Sequence, residues 1–151
     1  MQKVIVKTLN WLCITAITIL TVIILLQVIA RILNFTLIGT NELSRLLIVW
    51  LTFLGTSLAF HEDMHLSVQY FVNKLDDKKK RFVNLLVNGL LIMFFLIIAF
   101  YGVKFSIATM NYVSSSLQLP MSIFYLALPV GALFSIYFLI ISTKNIYESK
   151  R

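Results

Sequence analysis

The protein is a chain of 151 residues, of which 60% are hydrophobic and only 13% are charged, about half the charged share of a soluble globular domain. The apolar residues form long uninterrupted blocks, which excludes an ordinary water-soluble core and is typical of burial in a bilayer. The formal net charge of +7 lies in the short segments between these blocks and forms no basic and aromatic stripe, which argues against nucleic-acid binding.

Four apolar segments are long enough to be membrane helices, because ~20 helical residues cross ~30 Å of hydrocarbon. The first is longer than the ~7–15-residue apolar core of a cleaved signal peptide, so we interpret it as a retained helix. Asn41 is a plausible N-cap of the second helix, and Pro129 is expected to kink the fourth. The predicted spans cover about residues 10–30, 43–60, 82–102 and 121–142.

The loop between the second and third spans has a helical pattern of its own. Met64, Val68, Phe71 and Leu75 recur at helical spacing among polar residues, which predicts a short amphipathic helix over residues 64–75 at the membrane surface. The following basic run would contact anionic lipid head groups, although fixing the orientation of the chain is a sufficient role for it. This run consists of Lys78, Lys79, Lys80 and Arg81.

The distribution of basic residues predicts the orientation of the chain. Ten of the thirteen Lys and Arg residues lie at the two termini and in the loop between the second and third spans. The other three, Arg31, Arg45 and Lys104, lie on the opposite side. The positive-inside rule therefore places both termini and the loop between the second and third spans in the cytoplasm. Together with the four apolar spans, this predicts an all-α, multi-pass membrane protein with four transmembrane helices.

Acidic residues are absent from the central parts of the predicted spans. All six Asp and Glu residues lie at helix ends or in loops. A free-standing ion-coupled transporter usually needs an ionisable or polar cluster near the bilayer midplane. The sequence therefore predicts that this chain does not translocate a solute alone, although a free-standing four-helix transporter remains an alternative.

The segment His61-Glu62-x-x-His65 matches a zinc-protease motif, in which two imidazoles one helical turn apart bind the metal and the glutamate acts as a general base. A catalytic zinc ion needs a third protein ligand, and the chain has no other histidine. A membrane zinc protease is therefore an unfavoured alternative, and we expect no enzyme activity, no metal and no cofactor.

Charged and polar residues at the outer ends of the first two spans are the remaining candidates for a function. Glu42 and Arg45 are spaced to lie on one helix face and to form an ion pair, and Arg31 is a second potential partner for Glu42. Such a cluster could fix the hairpin or bind a partner, or it could be a solvated group that contributes little. Gln27 is expected to hydrogen-bond to a neighbouring helix or subunit.

Several sequence elements occur in the order known from one transporter family. They are Arg31-Ile32-Leu33-Asn34, Asn41-Glu42-Leu43-Ser44-Arg45, the segment from Val49 through Trp50 to Gly55, His65, Leu119-Pro120 and Pro129-Val130-Gly131. In these elements the chain resembles the DctQ-like small membrane subunits of tripartite ATP-independent periplasmic (TRAP) transporters. The similarity extends over nearly the whole chain and gives His65 a place without a catalytic role.

The resemblance implies a heterodimer in the bacterial inner membrane with a large permease subunit that carries the substrate and Na⁺ sites. A periplasmic binding protein would deliver the solute, a carboxylate such as a C4-dicarboxylate or sialic acid. The chain would then be a scaffold subunit in the phospholipid membrane. A scaffold of some other membrane complex is a further alternative. Five residues are candidates for contacting the partner or fixing the fold: Arg31, Glu42, Arg45, Trp50 and Gly55.

Overall fold

The computed structural model describes residues 2–35, 37–61 and 77–148, and these residues are mainly helical. The helices are α1 (Gln2–Ile32), α2 (Thr40–His61), α3 (Asp77–Ala108), α4 (Ser122–Tyr125) and α5 (Ala127–Glu148). Four segments of the described chain are long and apolar enough to span a membrane, namely Gln2–Ile32, Thr40–His61, Phe82–Ala108 and Ser122–Lys144. This confirms the predicted all-α fold with four membrane helices. The orientation of the termini stays a prediction, and the expected helix over 64–75 lies outside the described residues.

Helix α1 ends in a turn that the sequence encodes at Asn34. The backbone of Asn34 has a positive φ of 55°, which asparagine tolerates better than most residues. The N–H of Phe35 donates to the carbonyl of Ala30 at 2.8 Å, and the N–H of Asn34 donates to the carbonyl of Arg31 at 3.2 Å. These two bonds form a Schellman motif, which terminates α1 and directs the chain back towards α2.

The fourth span is divided by Leu126 into the short helix α4 and the long helix α5. Pro129 is the third residue of α5 and has no N–H to donate to the preceding turn. The first N–H groups of a helix have no intrahelical acceptor, so proline is tolerated there. The expected kink at Pro129 therefore takes the form of a helix that restarts at Ala127, two residues before the proline.

Helix α5 occupies the centre of the bundle. It packs against α2 on one side and against α3 on the other, and α1 packs against α2. One apolar cluster joins Leu9 and Cys13 of α1 to Leu54 of α2 and Phe138 of α5, while a second joins Phe95 of α3 to α5. The helices α1 and α3 therefore lie towards the edges of the bundle, where many of their apolar side chains are exposed.

Two glycines allow close approach of neighbouring helices. A Cβ atom at Gly131 of α5 would lie 2.5 Å from the Cβ of Phe53 in α2. A Cβ atom at Gly102 of α3 would lie 2.8 Å from the Cδ of Pro129 in α5. Membrane helices associate largely through such packing, because lipid tails are as apolar as the helix surfaces. These two contacts therefore fix α5 between its neighbours.

Candidate functional site

The carboxylate of Glu42 connects the start of α2 to a distant loop. It accepts hydrogen bonds from the hydroxyls of Ser114 and Ser115, the latter at 2.8 Å. It also accepts from the backbone N–H groups of Ser116, at 3.1 Å, and Leu117, at 2.9 Å. One side chain of α2 therefore holds the connection between α3 and α4 in place.

The loop that binds Glu42, residues 112–121, has a defined backbone; we name it the serine loop. The N–H of Met121 donates to the carbonyl of Tyr112, and the N–H of Ser114 donates to the carbonyl of Leu119, both at 2.8 Å. Consecutive backbone N–H groups at the tip of such a turn form a concave anion site. In this protein the site is filled by the chain's own carboxylate.

The ion pair that the sequence suggested between Glu42 and Arg45 or Arg31 is not formed. Both arginines are exposed, and among the described residues neither forms an ion pair. The physical reason is competition, because two hydroxyls and two backbone N–H groups already satisfy the carboxylate. The sequence prediction missed the serine loop as the partner of Glu42. The sequence feature that could have identified this partner is the run of three consecutive serines, Ser114–Ser116, in a connection without formal charge.

Two further polar contacts fix α2 at the same end of the bundle. The indole N–H of Trp50 donates to the carbonyl of Ile123 at 3.2 Å and so connects α2 to α4. The amide of Gln27 in α1 donates to the hydroxyl of Ser44 in α2 at 3.3 Å, which confirms the expected bond to a neighbouring helix. Trp50 therefore has a contact that fixes the fold within the chain itself.

One face of α2 remains open to the outside of the bundle. Gly55 lies on this face, and a Cβ atom added there would meet no atom of the described chain within 4 Å. Thr52 and Ala59, three residues before and four residues after it, are exposed. The residues that define this open face are Arg45, Ile48, Thr52, Gly55 and Ala59. Small side chains in its centre leave room for a closely packed helix from another protein.

The residues of the zinc motif are only partly described. The ring of His61 packs against the ring of Phe138 with a centroid distance of 5.1 Å, whereas Glu62 and His65 lie outside the described residues. In the described part of the chain no three His, Cys, Asp or Glu residues come together. The backbone of Lys78, Lys79, Lys80 and Arg81 belongs to the start of α3, and their side chains are not part of the described structure.

Comparison with known proteins gives a consistent result. Residues 20–148 match the family described as "Tripartite ATP-independent periplasmic transporters, DctQ component". A Haemophilus influenzae protein assigned as a TRAP transporter small permease is 34% identical over 123 residues, which cover 80% of this chain and 76% of that protein.

A second relative is the C4-dicarboxylate TRAP transporter small permease protein DctQ of Rhodobacter capsulatus. It is 36% identical over 101 residues, which cover 66% of this chain and 44% of the relative. Both relatives are named as small permease proteins of TRAP transporters, which is a family of transporter subunits and not of enzymes. The chain therefore belongs to the DctQ component family and is a small, multi-pass permease subunit of the TRAP type.

Proposed function

We propose that this chain is a scaffold that does not itself translocate solute, and that it forms a heterodimer with a large TRAP permease subunit in the inner membrane. The observation that carries the proposal is the position of the acidic groups. In the sequence all six lie outside the central parts of the predicted spans, and Glu42, the one whose side chain the structure describes, is held by the serine loop at the start of α2. Coupling groups must then belong to a partner, because ion coupling usually requires ionisable or polar groups inside the membrane.

The relatives and the family resemblance suggest which solutes the complex transports and how uptake is coupled. The Rhodobacter capsulatus relative is named for C4-dicarboxylates. We therefore assign the complex to Na⁺-coupled uptake of carboxylates, such as C4-dicarboxylates or sialic acid, delivered by a periplasmic binding protein. In this assignment both termini of the chain are cytoplasmic, as the distribution of Lys and Arg predicts.

The open face of α2 is the proposed contact with the large subunit. Its central residues are small. The hydroxyl of Thr52 already donates to the carbonyl of Ile48 at 2.8 Å, so burying it against a partner would not leave a hydrogen-bond donor unsatisfied. Helices α1 and α5 pack against other sides of α2, so no other described helix covers this face. A helix of the large subunit can therefore approach the α2 backbone closely at Gly55.

Replacing Gly55 with leucine is expected to weaken association with the large subunit while leaving the small subunit folded. The new side chain enters open space within the chain, and leucine favours a helix by about 1 kcal/mol over glycine. The measurement is copurification of the large subunit from detergent extracts through a tag on this chain, with thermal unfolding of the chain alone as the fold test.

The control is Gly89→Leu on α3, where an added Cβ also meets no atom within 4 Å. This variant should retain the large subunit at the wild-type level. Equal recovery of the large subunit with wild type and with Gly55→Leu would show that the open face of α2 is not the contact surface.

A further inference from the structure

A polar cavity lies between the end of α1 and the start of α2. Its volume is about 340 Å³, within the ~300–1,000 Å³ typical of small-molecule sites. Its polar lining consists of Gln27, Arg31, Asn34, Thr40 and Asn41. None of these residues belongs to the set that defines the open face of α2, and their chemistry favours a ligand with a charged or strongly polar group.

The charge of this cavity is positive. Arg31 is the one charged residue among those that line it, and no described carboxylate pairs with the Arg31 guanidinium. Glu42 is the nearest acidic residue in sequence, but the serine loop occupies its carboxylate. An arginine whose donors are free of protein acceptors binds phosphate or carboxylate oxygens well, because its planar fork matches their geometry.

The start of α2 adds to the attraction for an anion. Thr40 and Asn41 are the first residues of α2 and both line the cavity. The first N–H groups of a helix lack intrahelical acceptors and carry the positive end of the helix dipole. Side-chain amides of Asn34 and Asn41 supply further donors. Residues that carry a guanidinium and amides, together with the start of a helix, therefore line one cavity.

Exposed apolar side chains belong to the same turn between α1 and α2. Phe35 is one of the residues that line the cavity and is 65% exposed, and Ile38, next to the lining residue Leu37, is 85% exposed. A small soluble anion would make no use of such side chains, whereas the acyl chains of an amphiphile would cover them. The cavity also lies between the end of one helix and the start of another that are both long and apolar enough to span a membrane, and lipid head groups are expected at that level.

We propose that this cavity binds the phosphodiester group of a phospholipid, with the Arg31 guanidinium as its charge partner and the acyl chains along the apolar end of α1. The inference is independent of the transported solute and of the contact with the large subunit. It gives Arg31 a role in fixing a lipid against the α1–α2 hairpin.

Native mass spectrometry of the full-length chain in detergent tests this assignment. With added phosphatidylglycerol, wild type is expected to retain the lipid, and Arg31→Gln to retain it about tenfold less at the same concentration, since a charged hydrogen-bond pair contributes about this factor. Arg31→Lys should restore part of the retention, because it keeps the charge but lacks the planar fork. Lys104→Gln, which removes another exposed cation, should behave as wild type.

Two further arms identify the ligand chemistry with wild-type protein alone. Diacylglycerol, which lacks the phosphodiester, should not be retained, and an excess of inorganic phosphate should leave bound phosphatidylglycerol in place. Equal retention by wild type and Arg31→Gln, or retention of diacylglycerol, would overturn the assignment. Displacement of the lipid by inorganic phosphate would also overturn it, in favour of a site for free anions.

Discussion

Replacing Gly131 with leucine is expected to prevent the chain from folding into the four-helix bundle. A Cβ atom at this position would lie 2.5 Å from the Cβ of Phe53 and 3.0 Å from its carbonyl oxygen, so α2 and α5 would have to separate. Even Gly131→Ala should destabilise the bundle, because overpacking costs about 1–3 kcal/mol and the helix propensity of alanine returns at most about 1 kcal/mol.

The measurement is the amount of monodisperse protein extracted from membranes and its thermal unfolding in detergent. Gly55→Leu is the matched control on α2, since it introduces the same side chain into open space. The expected order of stability is wild type and Gly55→Leu first, Gly131→Ala next, and Gly131→Leu last. If Gly131→Leu unfolds at the wild-type temperature, the close contact between α2 and α5 is contradicted.

Replacing Glu42 with alanine is expected to release the serine loop from α2. The substitution removes the acceptor of two hydroxyls and two backbone N–H groups, and the Ser114 hydroxyl is buried. Hydrogen exchange of the Ser116 and Leu117 amides should accelerate by about tenfold or more. In the wild type these amides must break their hydrogen bonds to the carboxylate before they exchange, and in the variant these bonds are absent. Recovery of the large subunit should fall as the end of the bundle loosens.

Two variants distinguish this loop contact from the ion pair suggested by the sequence. Glu42→Gln keeps one acceptor oxygen and should give an intermediate exchange rate. Arg45→Ala should leave the exchange at Ser116 and Leu117 unchanged, since the structure shows no ion pair between Arg45 and Glu42. Acceleration in Arg45→Ala equal to that in Glu42→Ala would mean that the arginine, and not the serine loop, holds the carboxylate.

The sequence predicts the membrane helices well because apolar length alone determines them. The predicted second span of 43–60 lies within α2, Thr40–His61, and the predicted third span of 82–102 lies within α3, Asp77–Ala108. Helices α1 and α3 extend beyond the predicted spans, since Lys3 and Lys104 are part of the helical backbone. Hydropathy does not report these polar extensions, so the helix ends were less predictable than the helices.

The contacts between helices were harder to predict than the helices themselves. The pair Glu42 and Arg45 has the spacing of an ion pair, but spacing carries no information about a loop more than 70 residues away. Gly55 with Ala59, and Gly131 with Ser135, both have the i,i+4 spacing of small residues that allows helices to approach closely. Gly55 nevertheless meets no described neighbour, whereas Gly131 contacts Phe53. The two glycines can be told apart only from the three-dimensional structure, in which α5 packs between α2 and α3.

The scaffold role has its most direct test in transport by reconstituted vesicles. Vesicles containing this chain alone should accumulate no labelled C4-dicarboxylate or sialic acid under an inward sodium gradient, with or without a binding protein. Vesicles containing the chain together with its large subunit and the binding protein should accumulate the solute. Sodium-driven accumulation by this chain alone would contradict the account, because it would place the coupling groups within these four helices.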